Sequence, residues 1–197
     1  GKVDEVVKND DVFHIQVTDA NNEDHTVILN ITDGTRVMDN ETGLPSDAND
    51  IKAGDTIAAY HSSITTRSNP PISNAEMILV NHKEGSTLGT FMEVHSVEKN
   101  DDGSIRVLNT NGDLLLTIQA DTPIAPFGTK NIVSIADIQP GSKLVGYFDI
   151  MTLSLPGQAI AQKVVLMPYD YAGSVAVKAD NTIQVNGETI ALSDAEK

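Results

Sequence analysis

One sequence pattern occurs twice in this chain, and the repeat constrains the fold more than any other feature. The pattern Asp-Ile-x-x-Gly-x-x-Ile/Leu-x-x-Tyr stands at residues 50–60 and again at residues 137–147. The offset is the same for every matched residue of the two stretches. A repeat of this kind indicates one structural unit that is used twice.

A second match lies downstream in both copies, after a deletion of one residue. The motif Thr-x-Ser-x-Pro stands at residues 66–70 and again at residues 152–156. Glycine is retained where the backbone needs a positive φ, and proline where φ must be fixed. We therefore predict equivalent positions for three residue pairs, with both tyrosines mostly buried: Tyr60 with Tyr147, Gly54 with Gly141, and Pro70 with Pro156.

The repeat divides the 197 residues into two units, at 1–84 and 85–169, each long enough for a small core. The polar residues 81–88 are the predicted linker. At its end, Gly89-x-x-x-Glu93-Val94 is expected to correspond to Gly1-x-x-x-Glu5-Val6. Residues 170–197 predict a three-stranded β-meander, which either caps the second unit or begins another module.

Short alternating segments separated by turn residues indicate strands throughout the chain. Residues 13–17 alternate apolar and polar side chains, residues 26–31 are rich in β-branched residues, and Asn111-Gly112 is a hairpin signal. Helical turns are predicted only after Ser46 or Asp47 and at residues 133–137. The predicted fold class is all-β, with two tandem small OB-like β-barrels related by the repeat and a C-terminal β-meander.

The charge of the chain limits its partners. There are 28 acidic and 13 basic residues, a net charge of −15. Residues 1–86 carry 15 acids and 6 bases, against 8 and 5 in residues 87–169. Phosphate backbones and anionic lipids repel such a chain, so neither nucleic acid nor membrane insertion is expected. The sequence starts and stops within a pattern typical of a longer protein, and a leader removed upstream is compatible with it.

No catalytic, cofactor or metal site is predicted. There is no cysteine, which excludes disulfides and thiolate ligands, and the five histidines have no metal-ligand spacing. Nucleophile and phosphate-binding motifs are absent. The many carboxylates leave a glycosidase-like pair open on counting alone, but aromatic residues are only 4% and tryptophan is absent, which disfavours sugar binding.

The Thr-x-Ser-x-Pro loops are the candidate contact site for a ligand or partner, because the two copies differ there. The first loop is polar and carries a positive charge, whereas the second carries Leu153 and Leu155. The alternative is that these loops pack over a barrel mouth or between the units. The candidate contact residues are Thr66, Arg67, Ser68, Pro70, Thr152, Ser154 and Pro156.

The tail at residues 181–190, Asn-Thr-Ile-Gln-Val-Asn-Gly-Glu-Thr-Ile, resembles the opening of copper amine oxidase N-terminal-like (stalk) domains. The repeats resemble the β-barrel modules found upstream of those domains in secreted proteins of Gram-positive bacteria. The resemblance implies a secreted or cell-surface location. It does not extend to copper chemistry, because neither a tyrosine-derived cofactor context nor a triple-histidine site is present.

The expected function is a non-catalytic extracellular module that serves as a spacer or adhesion element of a larger bacterial protein. Its expected partner is a cell-wall component or another surface domain, and the chain itself is expected to be a monomer. The alternative is a module that binds a saccharide or peptide through the Thr-x-Ser-x-Pro loops. An OB-type nucleic-acid binder and an enzyme are less favoured.

Overall fold

The computed structural model describes residues 1–9, 12–168, 176–177, 182–185 and 188–191. The prediction of an all-β protein is confirmed, and one of the two large sheets curls into a half-barrel. Outside the strands, the described residues include two single turns of 3-10 helix, Ala48–Asp50 and Ile135–Asp137. No helix in this part of the chain is long and apolar enough to cross a membrane.

The first sheet has six strands. Five of them follow the order β1-β2-β3-β6-β4, and the sixth, β5, pairs with β6. β1, β2 and β3 pair antiparallel in chain order, and β3 then pairs parallel with β6. β5 pairs antiparallel with β6, and β4 pairs parallel with it. The strands are β1 (Lys2–Lys8), β2 (Phe13–Asp19), β3 (Asn22–Asn30), β4 (Arg36–Asp39), β5 (Ala58–His61) and β6 (Ile72–Val80).

The second sheet has seven strands in the order β10-β13-β11-β7-β8-β9-β12. β7, β8 and β9 pair antiparallel in chain order, and β9 pairs parallel with β12. β13 pairs antiparallel with β11 and parallel with β10. The strands are β7 (Thr90–Lys99), β8 (Ile105–Asn109), β9 (Leu114–Ile118), β10 (Ile124–Pro126), β11 (Lys143–Tyr147), β12 (Gly157–Ile160) and β13 (Lys163–Leu166).

The repeated pattern forms the same local structure in both sheets. Each 3-10 turn has an N-cap side chain, from Asp47 in one sheet and from Ser134 in the other, that accepts a backbone N–H. Such a cap satisfies a donor that the first helical turn leaves unpaired. Gly54 follows with φ 96° and Gly141 with φ 84°, a region that other residues adopt only with strain. The predicted helical turns and the choice of glycine are therefore explained by local geometry.

The predicted correspondence of Gly1 with Gly89 is wrong by three residues. The amino group of Gly1 donates to the Ile57 carbonyl, whereas Leu144, the counterpart of Ile57, pairs with Met92. A register shift follows at comparable points, after Val3 in β1 and after Val94 in β7. β7 therefore reaches further toward its N-terminal end than β1 does, into the contact between the sheets.

Each sheet encloses an apolar core of its own. The first core includes Ile15, Leu29 and Ile78, and the second includes Val107, Leu116 and Leu144; all six are fully buried. The alternating side chains of the strands supply these residues, as expected for sheets with one face turned inward.

A third apolar cluster joins the two sheets. The first sheet contributes Met38, Met77 and Leu79. The second contributes Phe127, Val145, Tyr147, Val165 and Met167. Tyr60 packs at the edge of this cluster, with its ring centroid 5.8 Å from that of Phe91. The faces of β5 and β11 that point away from the two cores therefore pack against each other instead of facing solvent. We call the eight buried residues of this contact the inter-sheet cluster.

The repeated tyrosines cross this contact in both directions. Tyr60 donates its hydroxyl to the Gly89 carbonyl at 2.9 Å, and Tyr147 donates its hydroxyl to the Asn40 carbonyl at 2.9 Å. Tyr147 is 6% exposed, whereas Tyr60 is half-buried. Each ring thus supplies apolar area and satisfies its polar end, as buried tyrosines usually do.

Part of the C-terminal region predicted as a meander lies outside the described residues. The described backbone there forms a three-stranded antiparallel sheet in chain order. Its strands are β14 (Ala176–Val177), β15 (Thr182–Val185) and β16 (Glu188–Ala191).

Candidate functional site

The two Thr-x-Ser-x-Pro motifs lie in corresponding loops of the two sheets. The first loop, residues 62–71, connects β5 to β6, and the second loop, residues 148–156, connects β11 to β12. Both loops are anchored by a backbone hydrogen bond from the threonine, Thr66 N–H to the Ile72 carbonyl and Thr152 N–H to the Gln158 carbonyl.

In the first loop the hydroxyl groups form a closed set of hydrogen bonds. The Thr66 and Ser68 hydroxyl oxygens lie 2.6 Å apart, and Ser68 donates to the Pro70 carbonyl at 2.8 Å. Thr66 also accepts the Ile72 backbone N–H at 2.8 Å. The threonine and serine therefore hold the loop in shape through their own hydroxyl groups.

The second loop repeats this arrangement bond for bond. The Thr152 and Ser154 hydroxyl oxygens lie 2.7 Å apart, and Ser154 donates to the Pro156 carbonyl at 2.8 Å. Thr152 accepts the Gln158 backbone N–H at 2.9 Å. In both loops the predicted contact residues are brought together, but their hydroxyl groups serve the loop itself. A ligand would meet the residues between them.

Those intervening residues differ sharply in polarity. Arg67 and Asn69 are exposed on the first loop, whereas Leu153 and Leu155 are 105% and 86% exposed on the second. The same contrast extends along the chain, because exposed Ile160 in β12 stands where β6 has Asn74. One rigid scaffold thus presents polar side chains on one sheet and apolar ones on the other.

Large apolar side chains are exposed around the second loop. Ten large apolar side chains are exposed among the described residues, and five of them lie between residues 150 and 160. We call these five the second-loop patch. Ile150 and Ile160 line one shallow cavity of about 650 Å³. The patch consists of Ile150, Met151, Leu153, Leu155 and Ile160.

A carboxylate holds the base of the second loop against the linker. Asp149 accepts a hydrogen bond from the Thr87 hydroxyl and another, at 2.6 Å, from the Gln162 side-chain amide. These two bonds, the Thr87 one first, lower the pKa of Asp149 below its usual value. Asp149 is therefore ionised at neutral pH and fixed at the edge of the patch.

Asn40 is the residue at the sheet contact that the sequence did not reveal. It is 2% exposed, and its side chain accepts the Gly89 N–H at 2.9 Å and donates to the Thr87 carbonyl at 3.1 Å. Its own carbonyl accepts the Tyr147 hydroxyl. Because the counterpart of Asn40 in the second sheet is Phe127, the repeat carries no signal for this role.

The linker is tied to the first sheet by further polar bonds. Asn81 donates to Asp39 at 2.7 Å, and Ser86 donates to Glu41 at 2.6 Å. These bonds lower the pKa of both carboxyl groups. Residues 81–88 were predicted to be a plain polar linker, and the structure shows a linker with fixed positions.

Two histidines, His25 and His61, line a separate cavity of about 400 Å³ in the first sheet. Gly1, Asp19 and Ala59 line the same cavity. Within the described ranges, no group of three or more histidine, aspartate or glutamate side chains is arranged to hold a metal ion.

No family model, curated protein or solved structure matches this chain.

Proposed function

We propose that this chain is a non-catalytic spacer or adhesion module in a larger extracellular or cell-surface protein. The observation that carries the proposal is the inter-sheet cluster, in which eight buried residues come from both sheets. A spacer must hold the domains attached to its two ends at a fixed distance and orientation. This requires that its two sheets do not rotate freely against each other. Apolar burial between units opposes such rotation.

We further propose that residues 1–84 and 85–169 are two copies of one OB-like barrel, with residues 170–197 as a β-meander beyond them. Support comes from the strand order β1-β2-β3-β6-β5 and its counterpart β7-β8-β9-β12/β13-β11. In each, the third strand pairs parallel with the strand that follows the Thr-x-Ser-x-Pro loop, β3 with β6 and β9 with β12. Matching hydrogen bonds in the two Thr-x-Ser-x-Pro loops support the repeat.

The proposed location is secreted or cell-surface, and the proposed partner is a cell-wall component or another surface domain. Support comes from the resemblance of the tail and repeats to stalk-associated modules. The test is labelling of intact cells that produce the full-length protein, with an antibody against this chain. Label that appears only after the cells are permeabilised would contradict the proposal.

The spacer role can be tested directly by distance measurement. Because the chain has no cysteine, Asp24→Cys and Asp101→Cys place one spin label on each sheet at exposed positions. Pulsed dipolar spectroscopy should give one narrow distance distribution, since the inter-sheet cluster fixes the two sheets.

A matched control places both labels on the second sheet, at Asp101→Cys in the turn after β7 and at Gln158→Cys in β12, where both positions are exposed. The width of that distribution measures the motion of the labels alone. A distribution between the sheets that is much broader than the control would show that the sheets move independently, and the spacer role would then be wrong.

A second candidate function is ligand binding through the Thr-x-Ser-x-Pro loops. It is favoured by one observation, that the two loops share a scaffold but expose different side chains, as recognition loops on rigid frameworks do. Titration calorimetry with soluble peptidoglycan fragments would test it. Heat that disappears in Arg67→Ala but not in Lys99→Ala would support the first loop as the site.

A further inference from the structure

The cavity of about 400 Å³ in the first sheet adjoins the first core. Its apolar lining includes Val17, which belongs to that core, and Val27 and Ala59, which pack against it. His61 and Thr65 line the cavity as well, and both are exposed. The cavity therefore lies at an end of the first core that polar side chains leave open to solvent.

The second sheet has apolar side chains at the corresponding place. Phe148 is the counterpart of His61, and it packs against the second core. Met151 is the counterpart of Thr65, and its sulfur lies 2.7 Å from the position that a Cβ at Gly157 would take. The two copies therefore differ in how this end of the core is covered.

A bulge in the hairpin of β2 and β3 forms part of the cavity wall. Residues 23–25 have no partner in β2, because the register shifts between Thr18 and Asp19. The pairing of β8 with β9 runs without a shift from Ile105 to Leu108. Bulges re-aim side chains and are common next to functional sites. Here the bulge carries His25, which lines the cavity.

Two polar side chains of the lining offer hydrogen-bond acceptors. The Asp19 carboxylate accepts the Asn21 N–H through one oxygen, and its second oxygen can accept from a ligand. His61 Nδ1 lies 2.9 Å from the Ser62 carbonyl oxygen. Because a carbonyl only accepts, Nδ1 donates, and Nε2 of the neutral ring is then an acceptor. The cavity therefore suits a ligand that donates.

We propose that this cavity binds an alkylammonium group, with the apolar stem in the cavity and the ammonium at Asp19 and His61. An ammonium group has three donors and no acceptor. Residues 1–86 carry 15 acids and 6 bases, a balance that attracts cations. Gly1 also lines the cavity, but its amino group is already bonded to the Ile57 carbonyl. A lysine side chain of a polypeptide and a free aliphatic amine share this chemistry.

This inference goes beyond the proposed spacer function, because a cavity in one sheet does not depend on how the two sheets are joined. The distance between spin labels reports only on the joining of the sheets, and a ligand titration reports only on the cavity. Arg67 does not line the cavity, so Arg67→Ala should leave this binding unchanged.

The experiment is a titration of the chain with n-pentylamine, followed through the histidine ring signals in nuclear magnetic resonance spectra. The signals of His25 and His61 should shift, with a Kd of roughly 1 mM. The other three histidines are internal controls: His14, His82 and His95. Pentanol and pentanoate have the same stem with a neutral and a negative end, and they should bind progressively more weakly.

The methylamide of Nα-acetyl-lysine identifies the source of the ammonium group. Binding at least as tight as that of n-pentylamine would indicate a lysine side chain, and weaker binding would indicate a free amine.

The second sheet supplies the closing variant. His61→Phe/Thr65→Met introduces the side chain types of Phe148 and Met151, so it should close the cavity and abolish the shift at His25. Its circular dichroism spectrum should match that of the parent chain, since both replaced residues are exposed. Binding of n-pentylamine that survives in this variant would overturn the proposal.

Two matched carboxylate variants test the ammonium contact. Asp19→Asn should weaken the binding of n-pentylamine about tenfold. Asp24→Asn makes the same change in charge at an exposed residue that does not line the cavity, and it should have little effect. Three further results would overturn the proposal: no shift at His25 and His61, pentanoate that binds as tightly as n-pentylamine, or equal weakening in the two carboxylate variants.

Discussion

Replacement of Asn40 by alanine should loosen the two sheets from each other. The Asn40 side chain is buried and makes three hydrogen bonds, to Gly89, Thr87 and Glu41. Its removal leaves the buried Gly89 N–H without its acceptor. An orphaned buried donor costs about 1–3 kcal/mol, and each further lost bond about 0.5–1.5 kcal/mol.

The expected loss in the free energy of unfolding is therefore about 2–6 kcal/mol. With a urea m-value of about 2 kcal/mol/M, the midpoint of unfolding should fall by about 1–3 M. Urea unfolding followed by tyrosine fluorescence and by circular dichroism measures this shift. If the sheets uncouple, the two probes should also cease to coincide.

Asn109 is the matched control for this substitution. It is also a buried asparagine, 8% exposed, but its side chain bonds only within the second sheet, to Asp113 and Leu114. Asn109→Ala should lower the urea midpoint but leave the spin-label distance between the sheets unchanged. Equal broadening of that distance in both variants, or a midpoint shift below about 0.2 M for Asn40→Ala, would refute the reasoning.

Two other residues give further tests. Burial raises the pKa of Tyr147 to about 12, above its value in the unfolded chain of about 10, so its stabilising contribution is complete below pH ~10 and is lost as the pH rises to ~12. Chemical unfolding along this pH range should show the decline, and Tyr147→Phe should reduce its slope; an unchanged slope would contradict the assignment. Gly54→Ala should cost about 1–2 kcal/mol from backbone strain alone, because φ is 96° and the space around a new Cβ is empty. Thermal unfolding measures this cost, and a variant as stable as the parent would show that Gly54 is not needed for its conformation.

The sequence predicted those parts of the fold that depend on local chemistry. Side-chain alternation predicted the strands, and the capping residues Asp47 and Ser134 lie at the predicted helical turns. Gly54 and Gly141 occur where the backbone requires a positive φ. Each of these features depends on residues close together in the chain, so one sequence is sufficient to detect them.

The contact between the sheets could not be predicted in the same way. Apart from the two repeated tyrosines, it uses positions at which the two copies differ, so the repeat gives no guide to them. Asn40, for example, has Phe127 as its counterpart in the second copy, and Met77 has Lys163. The predicted alignment of Gly1 with Gly89 is wrong because β7 begins earlier in its unit than β1 does. A few matching residue types do not fix a strand register. For the second loop, alternation showed two leucines but not whether they were buried.

The crossed tyrosines have a consequence for how such modules assemble into longer proteins. Tyr60 bonds to the backbone at Gly89 and Tyr147 to the backbone at Asn40, so each sheet uses its β5 or β11 face on the other. Two surfaces that contact each other in this way form a closed pairing, unlike the head-to-tail stacking of solenoid repeats. Under the proposal that the two sheets are copies of one unit, proteins that contain more copies should gain them two at a time.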